Sequence, residues 1–441
     1  RHGHETILMG PDTGADAAFG DHARHLFPGV PWPTHRKVRV AMPGLSMKHL
    51  WRAPQMDIVH CQTNSHMADY ANWIRKMWQV PVLNTHTIHL PTHSHFVLSD
   101  KLFGSDTIRE TVRRAAENTE LKFAELYNDG DCLIVQNRFF VDYWRERGVT
   151  IPIEVVGRPI DPSKFDAQPG VDPYPEGYAA GHRFLVVCRH DREKRLGHLI
   201  DIFAKHVFRG DPKATLTLVG DGHDHANLVE LAMATPYADR FHFAGEVEHN
   251  RLVDWYGHGD IFVYTSISET FGNVVNEALW CGLPAVALDD RMGVAHQVAH
   301  EVNGFLVEPD RAHTDEAFAS ACLLLTRSET LRQQMGEQAA NLSRRSSHPD
   351  IVIGRFEAIY DRAQEHCRGT IRSPLNEASR GAQMRSFAFH IGRWAMFNAA
   401  VLGIAYTATT IGAGREGSAE QHADVQSLVK QRQTEARRDA A

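Results

Sequence analysis

Residues 266–284, "SISETFGNVVNEALWCGLP", hold two glutamates eight positions apart, Glu269 and Glu277, with a Phe-Gly-Asn turn between them and an apolar helical run after it. A helix start offers unpaired N–H groups and a partial positive charge, which suits a phosphate better than packing alone requires. A carboxylate one turn inside such a helix is favoured by the positive end of the macrodipole, and it is a good acceptor for paired ribose hydroxyls. The plain alternative is that Glu269 caps the helix and Glu277 lies exposed. A second cluster lies in "VVCRHDREKRLGHLI", where a strand empties into Arg189, Glu193, Lys194 and Arg195 before a helix beginning near Leu196. Arginine offers a planar fork and lysine a compact charge, and together they suit a diphosphate. A solvated charge run would look the same. A third place is "LVGDGHDHANL", whose glycines permit close backbone approach to a ligand or simply turn a strand into a helix.

Metal chemistry has weaker footing. In "LNTHTIHLPTHSHF", His86, His89, His93 and His95 follow a strand, yet no carboxylate or cysteine joins them to complete a tetrahedral set. The Asp-x-Asp of "YNDGDCLIV" (Asp129, Asp131) stands directly before a strand, where a turn explains it. No metal or other cofactor is therefore expected. The net charge of −7 gives no electrostatic footprint for nucleic acid. Six scattered cysteines without a Cys-x-x-Cys pair argue for reduced thiols and a cytoplasmic setting.

These residues need elements to hold them. At 441 residues the chain is too long for one ordinary core, and two domains are the default expectation. "MDIVHC", "VPVLNTH", "DCLIVQN" and "IPIEVVG" read as buried strands, separated by the helical "HMADYANWIRKMW" and "SDTIRETVRRAAENTELKFAELY". After the Pro- and Gly-rich connector "DPSKFDAQPGVDPYPEGYAAGH" the pattern repeats with "RFLVVCR", "ATLTLVGDG", "RFHFAGEV", "DIFVYTS", "PAVAL" and "GFLVEP". Alternating strand and helix implies an α/β chain with parallel sheets covered on both faces, in two Rossmann-like domains that bind ligands at strand carboxyl ends. The expected division is 1–160, 161–349, a crossover helix over 350–367 returning to the first domain, and a helical tail over 380–441. "RHGHETILMGPDTG" reads as a helix end, a turn and a strand, so the chain is expected to begin after a domain's first strand, loop and helix, about 25 to 30 residues.

In order along the chain, "DIVHCQT", "NTHT", "VGRPIDPSKF", Arg-x-x-x-Glu-Lys, "LVGDG", "FAGEV", Glu-x7-Glu and "NGFLVEP" resemble family 4 of the retaining glycosyltransferases, over about residues 1 to 366. The resemblance implies the GT-B fold, two Rossmann-like domains facing across a cleft. It implies that Glu277 accepts from a nucleotide ribose and that Glu269 contacts hydroxyls of the donor sugar. It also implies that Phe271, Gly272, Asn273 and Val274 meet sugar and diphosphate, and that Arg189 and Lys194 neutralise the leaving diphosphate in place of a metal. Gly220, Gly245 and Val247 complete the implied donor-binding set, and His86 stands at the reaction centre, with His89 the weaker choice. The implied reaction is sugar transfer from a nucleoside-diphosphate sugar to an acceptor hydroxyl with retention. Two departures stand out: the family's Gly-rich loop after the first strand is not in the chain, and its Gly-Gly-x-x-Glu appears as Met292-Gly293-Val294-Ala295-His296.

Residues 394–414, "WAMFNAAVLGIAYTATTIGAG", carry no charge over about the length that spans a bilayer, and Arg380, Arg385 and Arg393 precede them as on a cytosolic side. Asn398, Tyr406 and three threonines lower the hydrophobicity, so an anchoring or interfacial helix competes with a soluble docking helix. With "FPGVPWPTHRKVRVAMP", which resembles the branch acting on diacylglycerol-type lipids, the tail points to a lipid or glycolipid acceptor at a membrane surface. Two further readings stand beside it: a sugar-nucleotide epimerase of the same fold, and a membrane-tethered sugar-nucleotide-binding protein without catalysis.

Overall fold

The computed structural model of this chain describes residues 3–12, 23–32, 35–41, 56–62, 66–89, 106–309 and 313–410. The chain forms two units: Val156–Arg355 with Gln136–Phe139 in one, and Arg1–Val135, Phe140–Val155 and Phe356–Gly414 in the other.

The Val156–Arg355 unit is built on six parallel strands: β9 (Arg183–Val187), β10 (Thr215–Val219), β11 (Phe241–Gly245), β12 (Ile261–Tyr264), β13 (Ala285–Leu288) and β14 (Gly304–Val307), in the order β11-β10-β9-β12-β13-β14. Each is shorter than its apolar run but falls inside it. Phe184 of β9 pairs with Leu216 on one side and Ile261 on the other. The chain order therefore reverses between β9 and β12, and the crevice at the carboxyl ends of strands flanking such a reversal is where this architecture takes ligands. Phe184, Phe203, Phe208, Phe262 and Trp280 are fully buried in the core around that sheet. One irregularity escapes the sequence. The helix Leu196–Ile202 runs into a π turn over Phe203–Val207, whose wider spacing brings Phe203 and Phe208, five residues apart, to 5.5 Å between ring centroids.

The other unit carries a four-stranded parallel sheet in chain order: β5 (Val59–Cys61), β6 (Val82–Thr85), β7 (Cys132–Val135) and β8 (Ile153–Val155). Ahead of it β1 (Ile7–Pro11) pairs in parallel with β2 (Ala23–Phe27), and β3 (Gly29–Trp32) pairs in antiparallel fashion with β4 (His35–Ala41). The hairpin lies within the stretch "FPGVPWPTHRKVRVAMP" and was not foreseen, because Pro31 and Trp32 interrupt any clean alternation.

The turn at Asp129-Gly130-Asp131 forms, with the Gly130 N–H donating to the Tyr127 carbonyl at 2.8 Å. Its second aspartate does more than turn the chain. Asp131 is fully buried and accepts from Arg75 Nε and Nη2, each at 2.6 Å, from the Val82 N–H at 2.9 Å and from His366 Nδ1 at 2.9 Å. Burial works against the Arg75 charge, but Asp131 more than offsets it and holds the guanidinium above its ordinary pKa.

His366 belongs to the helix Pro349–Thr370, whose later turns belong to the unit of the four-stranded sheet and pack within it: Tyr360 OH lies 3.2 Å from His60 Nδ1, and Arg362 donates to Glu154 at 2.8 Å. The tail forms one helix, Arg380–Thr410, that docks on the helix His66–Trp78. Phe387 and His390 pack against Trp73, each at 5.5 Å, His390 Nδ1 lies 3.1 Å from Asp69, and Arg393 reaches Asp69 and Asp129, each at 2.9 Å. No helix among the described residues is long and apolar enough to cross a membrane, as the polar Asn398, Tyr406 and threonines foreshadow, and residues 411–414 lie outside the described part.

Candidate functional site

The two charged clusters meet at the carboxyl ends of β9 and β12. After β9 the chain makes a short turn, Arg192–Lys194, that sets Lys194 beneath the loop following β12. Lys194, 8% exposed, places its Nζ 2.5 Å from Glu269 Oε1 and 3.4 Å from Glu193. Tyr264 OH, at the end of β12, donates to the same Glu269 oxygen at 2.8 Å, and Ser266 Oγ does so at 3.0 Å. Burial opposes the Glu269 charge, yet Lys194 and these hydroxyls hold the carboxyl below its ordinary pKa. Lys194 is held up correspondingly: burial lowers its pKa, and the two glutamates more than compensate. Arg189 is half exposed and engaged with Asp191 at 2.5 Å and Glu193 at 3.0 Å.

Glu269 does not cap the following helix. Gly272 occupies the N-cap of Asn273–Trp280 in the left-handed region at φ 84°, where a side chain would be strained, and no side chain caps the terminus. Glu277 sits one turn in and is buried rather than exposed, at 6%. His249 Nε2 lies 3.0 Å from its Oε1, and Tyr256 OH donates to Oε2 at 3.0 Å. Burial raises the Glu277 pKa, and these two partners pull against that rise. Phe271 is buried, while Asn273 is exposed and Val274 partly buried. Gly220 follows β10, its N–H donating to the carbonyl of Gly245 at 2.8 Å, and Val247 packs partly buried against the core.

The departure at Met292–His296 has a structural meaning. The Gly293 N–H donates to the Glu269 carbonyl at 2.9 Å, and a Cβ there would lie 2.7 Å from that oxygen and 2.6 Å from the Phe271 carbonyl, so only glycine lets the two loops meet. Asp290 holds the start of the short helix Gly293–Gln297, accepting from the N–H groups of Met292, Val294 and Ala295, and burial pushes its pKa up to about 6. Gln297, which nothing in the sequence singles out, braces the Phe271-Gly272 turn: its Nε2 donates to the Phe271 carbonyl, to Gly272 at 3.3 Å and to Gly293 at 3.1 Å. Gln297→Ala is expected to cost about 1–2 kcal/mol of stability, because these carbonyls lose a buried donor. Thermal unfolding reads that loss, and a variant with unchanged midpoint would show the brace to be idle.

The histidines after β6 are placed differently from expectation. His86 is fully buried, its ring against Phe140 at 4.7 Å and Trp144 at 4.9 Å, with Nδ1 3.4 Å from Tyr127 OH. A ring enclosed by aromatic neighbours stands where one facing a ligand was expected. His89 is likewise buried, against Phe140 and Tyr143, and His93 and His95 lie outside the described residues. Among the described residues no cluster of three or more His, Cys, Asp or Glu side chains could hold a metal ion.

Parallel sheets of this kind, with a basic side chain after one strand and two carboxylates after the next, define a GT-B type of architecture. Known families agree: a family model described as "Glycosyltransferase Family 4" matches residues 1–164, and one described as "Glycosyl transferases group 1" matches residues 180–342. The chain belongs to the family 4 glycosyltransferases. It is 24% identical over 299 residues to an alpha-monoglucosyldiacylglycerol synthase of Streptococcus pneumoniae, covering 64% of this chain and 65% of that one. It is 27% identical over 186 residues to an N-acetyl-alpha-D-glucosaminyl L-malate synthase of Bacillus anthracis, covering 42% of this chain and 46% of that one. The match thus spans less than two thirds of either relative. The crystal structure of Anabaena HepE in complex with UDP superposes with a TM-score of 0.57 at 17% identity, covering 77% of this chain and 86% of that one, and shows the shared GT-B fold.

Proposed function

We propose that the protein transfers a sugar from a nucleoside-diphosphate sugar to an acceptor hydroxyl, with retention of configuration and without a metal. The observation that carries the reading is the charged set around Lys194 at the sheet's reversal point. An ammonium held by Glu269 at 2.5 Å stands at the end of β9, while Glu277 waits one turn into the helix that follows β12. Glu277 accepts from the ribose hydroxyls, and Glu269 fixes both Lys194 and the donor sugar. Phe271–Val274, with Gly220, Gly245 and Val247, lines the donor. Lys194 and Arg189 neutralise the negative charge that develops on the diphosphate as the sugar leaves with oxocarbenium character, the type of preorganised stabilisation that contributes most to such steps. The departing phosphate takes the acceptor proton, so neither glutamate forms a covalent bond.

A lipid or glycolipid acceptor is the favoured class, supported by the monoglucosyldiacylglycerol relative and by the exposed Met384, Phe389 and Met396 of the tail helix, which suit a membrane surface on the cytoplasmic side. The malate-glycosylating relative is the counterweight, since a soluble acceptor occurs within the same family. The test incubates the protein with UDP- and GDP-sugars and a bacterial lipid extract, and reads products by mass spectrometry. A lipid gaining one hexose or uronic acid mass is the expected result. Nucleotide binding without any lipid product would remove the lipid acceptor and leave soluble acceptors to be tried. In parallel, Glu277→Ala is expected to weaken UDP binding by about a hundredfold, the loss of two charge-assisted hydrogen bonds. Unchanged affinity for both UDP and GDP in that variant would overturn the site.

A further inference from the structure

Glu277 faces a conflict that the ribose role does not resolve. Its side chain is 7% exposed, and burial drives a carboxyl toward the neutral form, which would present a proton where a diol requires an acceptor. Two side chains oppose this. Tyr256 is fully buried, and its hydroxyl stays neutral and donates to Oε2. His249 stands on the turn after β11 with its side chain 53% exposed, and its Nε2 holds Oε1 at 3.0 Å. Its ring packs in a T-shaped pair with Phe165, with centroids 5.3 Å apart and planes at 73°, which restricts the imidazole plane. Lys164 lowers the Glu277 pKa from further away, and the partly buried Cys281 thiol, whose own pKa is pushed up to about 12, lies near the end of the same helix. An ionised carboxylate has about four acceptor positions, so two remain for a ligand once His249 and Tyr256 have taken theirs.

We propose that His249 is a positioning residue of the nucleoside site, holding the Glu277 carboxylate in the orientation and charge state that the vicinal hydroxyls of a ribose need. This rests on the nucleotide-sugar reading above and adds to it a partner that no signature contains. The chemical class recognised is a cis-diol, and the recognising unit is His249-Glu277-Tyr256 rather than a lone glutamate.

The sign of the pH effect follows from the pairing. Removing the His249 bond raises the Glu277 pKa further, so the ionised form is lost at a higher pH as the solution is acidified. The experiment measures calorimetric affinities for UDP and for 2′,3′-dideoxy-UDP from about pH 8 to about pH 5 in the wild type, His249→Ala and His249→Gln. The ratio of the two affinities isolates the diol, because ionisation of the diphosphate affects both nucleotides alike. In the wild type UDP is expected to bind at least about tenfold tighter than the dideoxy analogue. In His249→Ala that preference shrinks and vanishes at a higher pH than in the wild type, with affinity for the analogue unchanged. His249→Gln, which keeps a donor, is expected to restore most of the preference near pH 8. A His249→Ala variant with the wild-type preference and profile overturns the proposal, as does an equal loss for both nucleotides, which would mark a structural role alone. A wild type that binds neither nucleotide overturns the nucleotide reading and the inference with it, whereas one that binds both equally leaves a nucleotide site but overturns the diol role of Glu277 and so the inference.

Discussion

Replacing Lys194 by methionine is expected to lower kcat/KM by about a hundred- to a thousandfold, the range found when one preorganised charge-stabilising donor is removed. The ammonium has three donors; Glu269 takes one at 2.5 Å and Glu193 stays at ion-pair distance, 3.4 Å, which leaves donor capacity for a phosphate oxygen. The same substitution strands Glu269 as a buried, unpaired carboxylate, which typically costs about 3–5 kcal/mol. A second variant separates the two effects. Lys194→Met combined with Glu269→Gln removes the charge along with its partner, so most of the lost stability should return while turnover stays low. The pH dependence has a definite sign. Glu269 has a lowered pKa in the fold, so the stability it contributes is present above its unfolded pKa and is lost as pH falls through the lower, folded value. Turnover of Lys194→Met at the wild-type rate, measured with whichever donor the wild type consumes, would remove Lys194 from the chemistry.

Asp131→Asn is expected to lower the unfolding free energy by about 3–5 kcal/mol, although it changes one atom and touches no proposed ligand contact. Asp131 has 0% side-chain exposure and receives four hydrogen bonds, two of them from the Arg75 guanidinium. Neutralising it leaves Arg75 charged and 8% exposed without the carboxylate that its fork grips. Urea unfolding reads the effect as a lower midpoint at unchanged slope. If the midpoint does not move, the buried pair contributes nothing net and the packing around it carries the unit. Arg75→Met with Asp131→Asn should recover part of the loss, since deleting both ends of a buried pair is often close to neutral.

The strands of both parallel sheets were legible in the sequence because β-branched apolar runs between Gly, Pro and Asp turns have few alternatives once they are buried on both faces. Glu269, Glu277 and Lys194 were legible for a different reason: charged residues directly after such strands are costly to bury and invite a reason. What the sequence hid was mostly partners. His249 and Tyr256 lie 28 and 21 residues from the glutamate they hold, and Gln297 lies 26 residues from the Phe271 carbonyl it braces. No local periodicity encodes such distances. The surroundings of His86 were not legible because a histidine after a strand looks the same whether aromatic rings or a sugar await it; Tyr127, Phe140 and Trp144, which pack about it, follow much later in the chain. The π turn after Ile202 was hidden because one inserted residue barely disturbs a helical pattern.

The docking of Phe387, His390 and Arg393 onto the helix His66–Trp78 has a consequence for synthesis. Chains usually fold from the amino end as they emerge from the ribosome. Here the pairs His390 with Asp69 and Arg393 with Asp129 span 321 and 264 residues. Until those last turns are released, Trp73 lacks two of its ring neighbours and Asp69 lacks the Arg393 guanidinium. The Val156–Arg355 unit, almost continuous in sequence, has no such wait. The order of maturation is therefore inverted: the half synthesised first is the half completed last, and during that interval its unfinished surface is the one most open to chaperones and proteases.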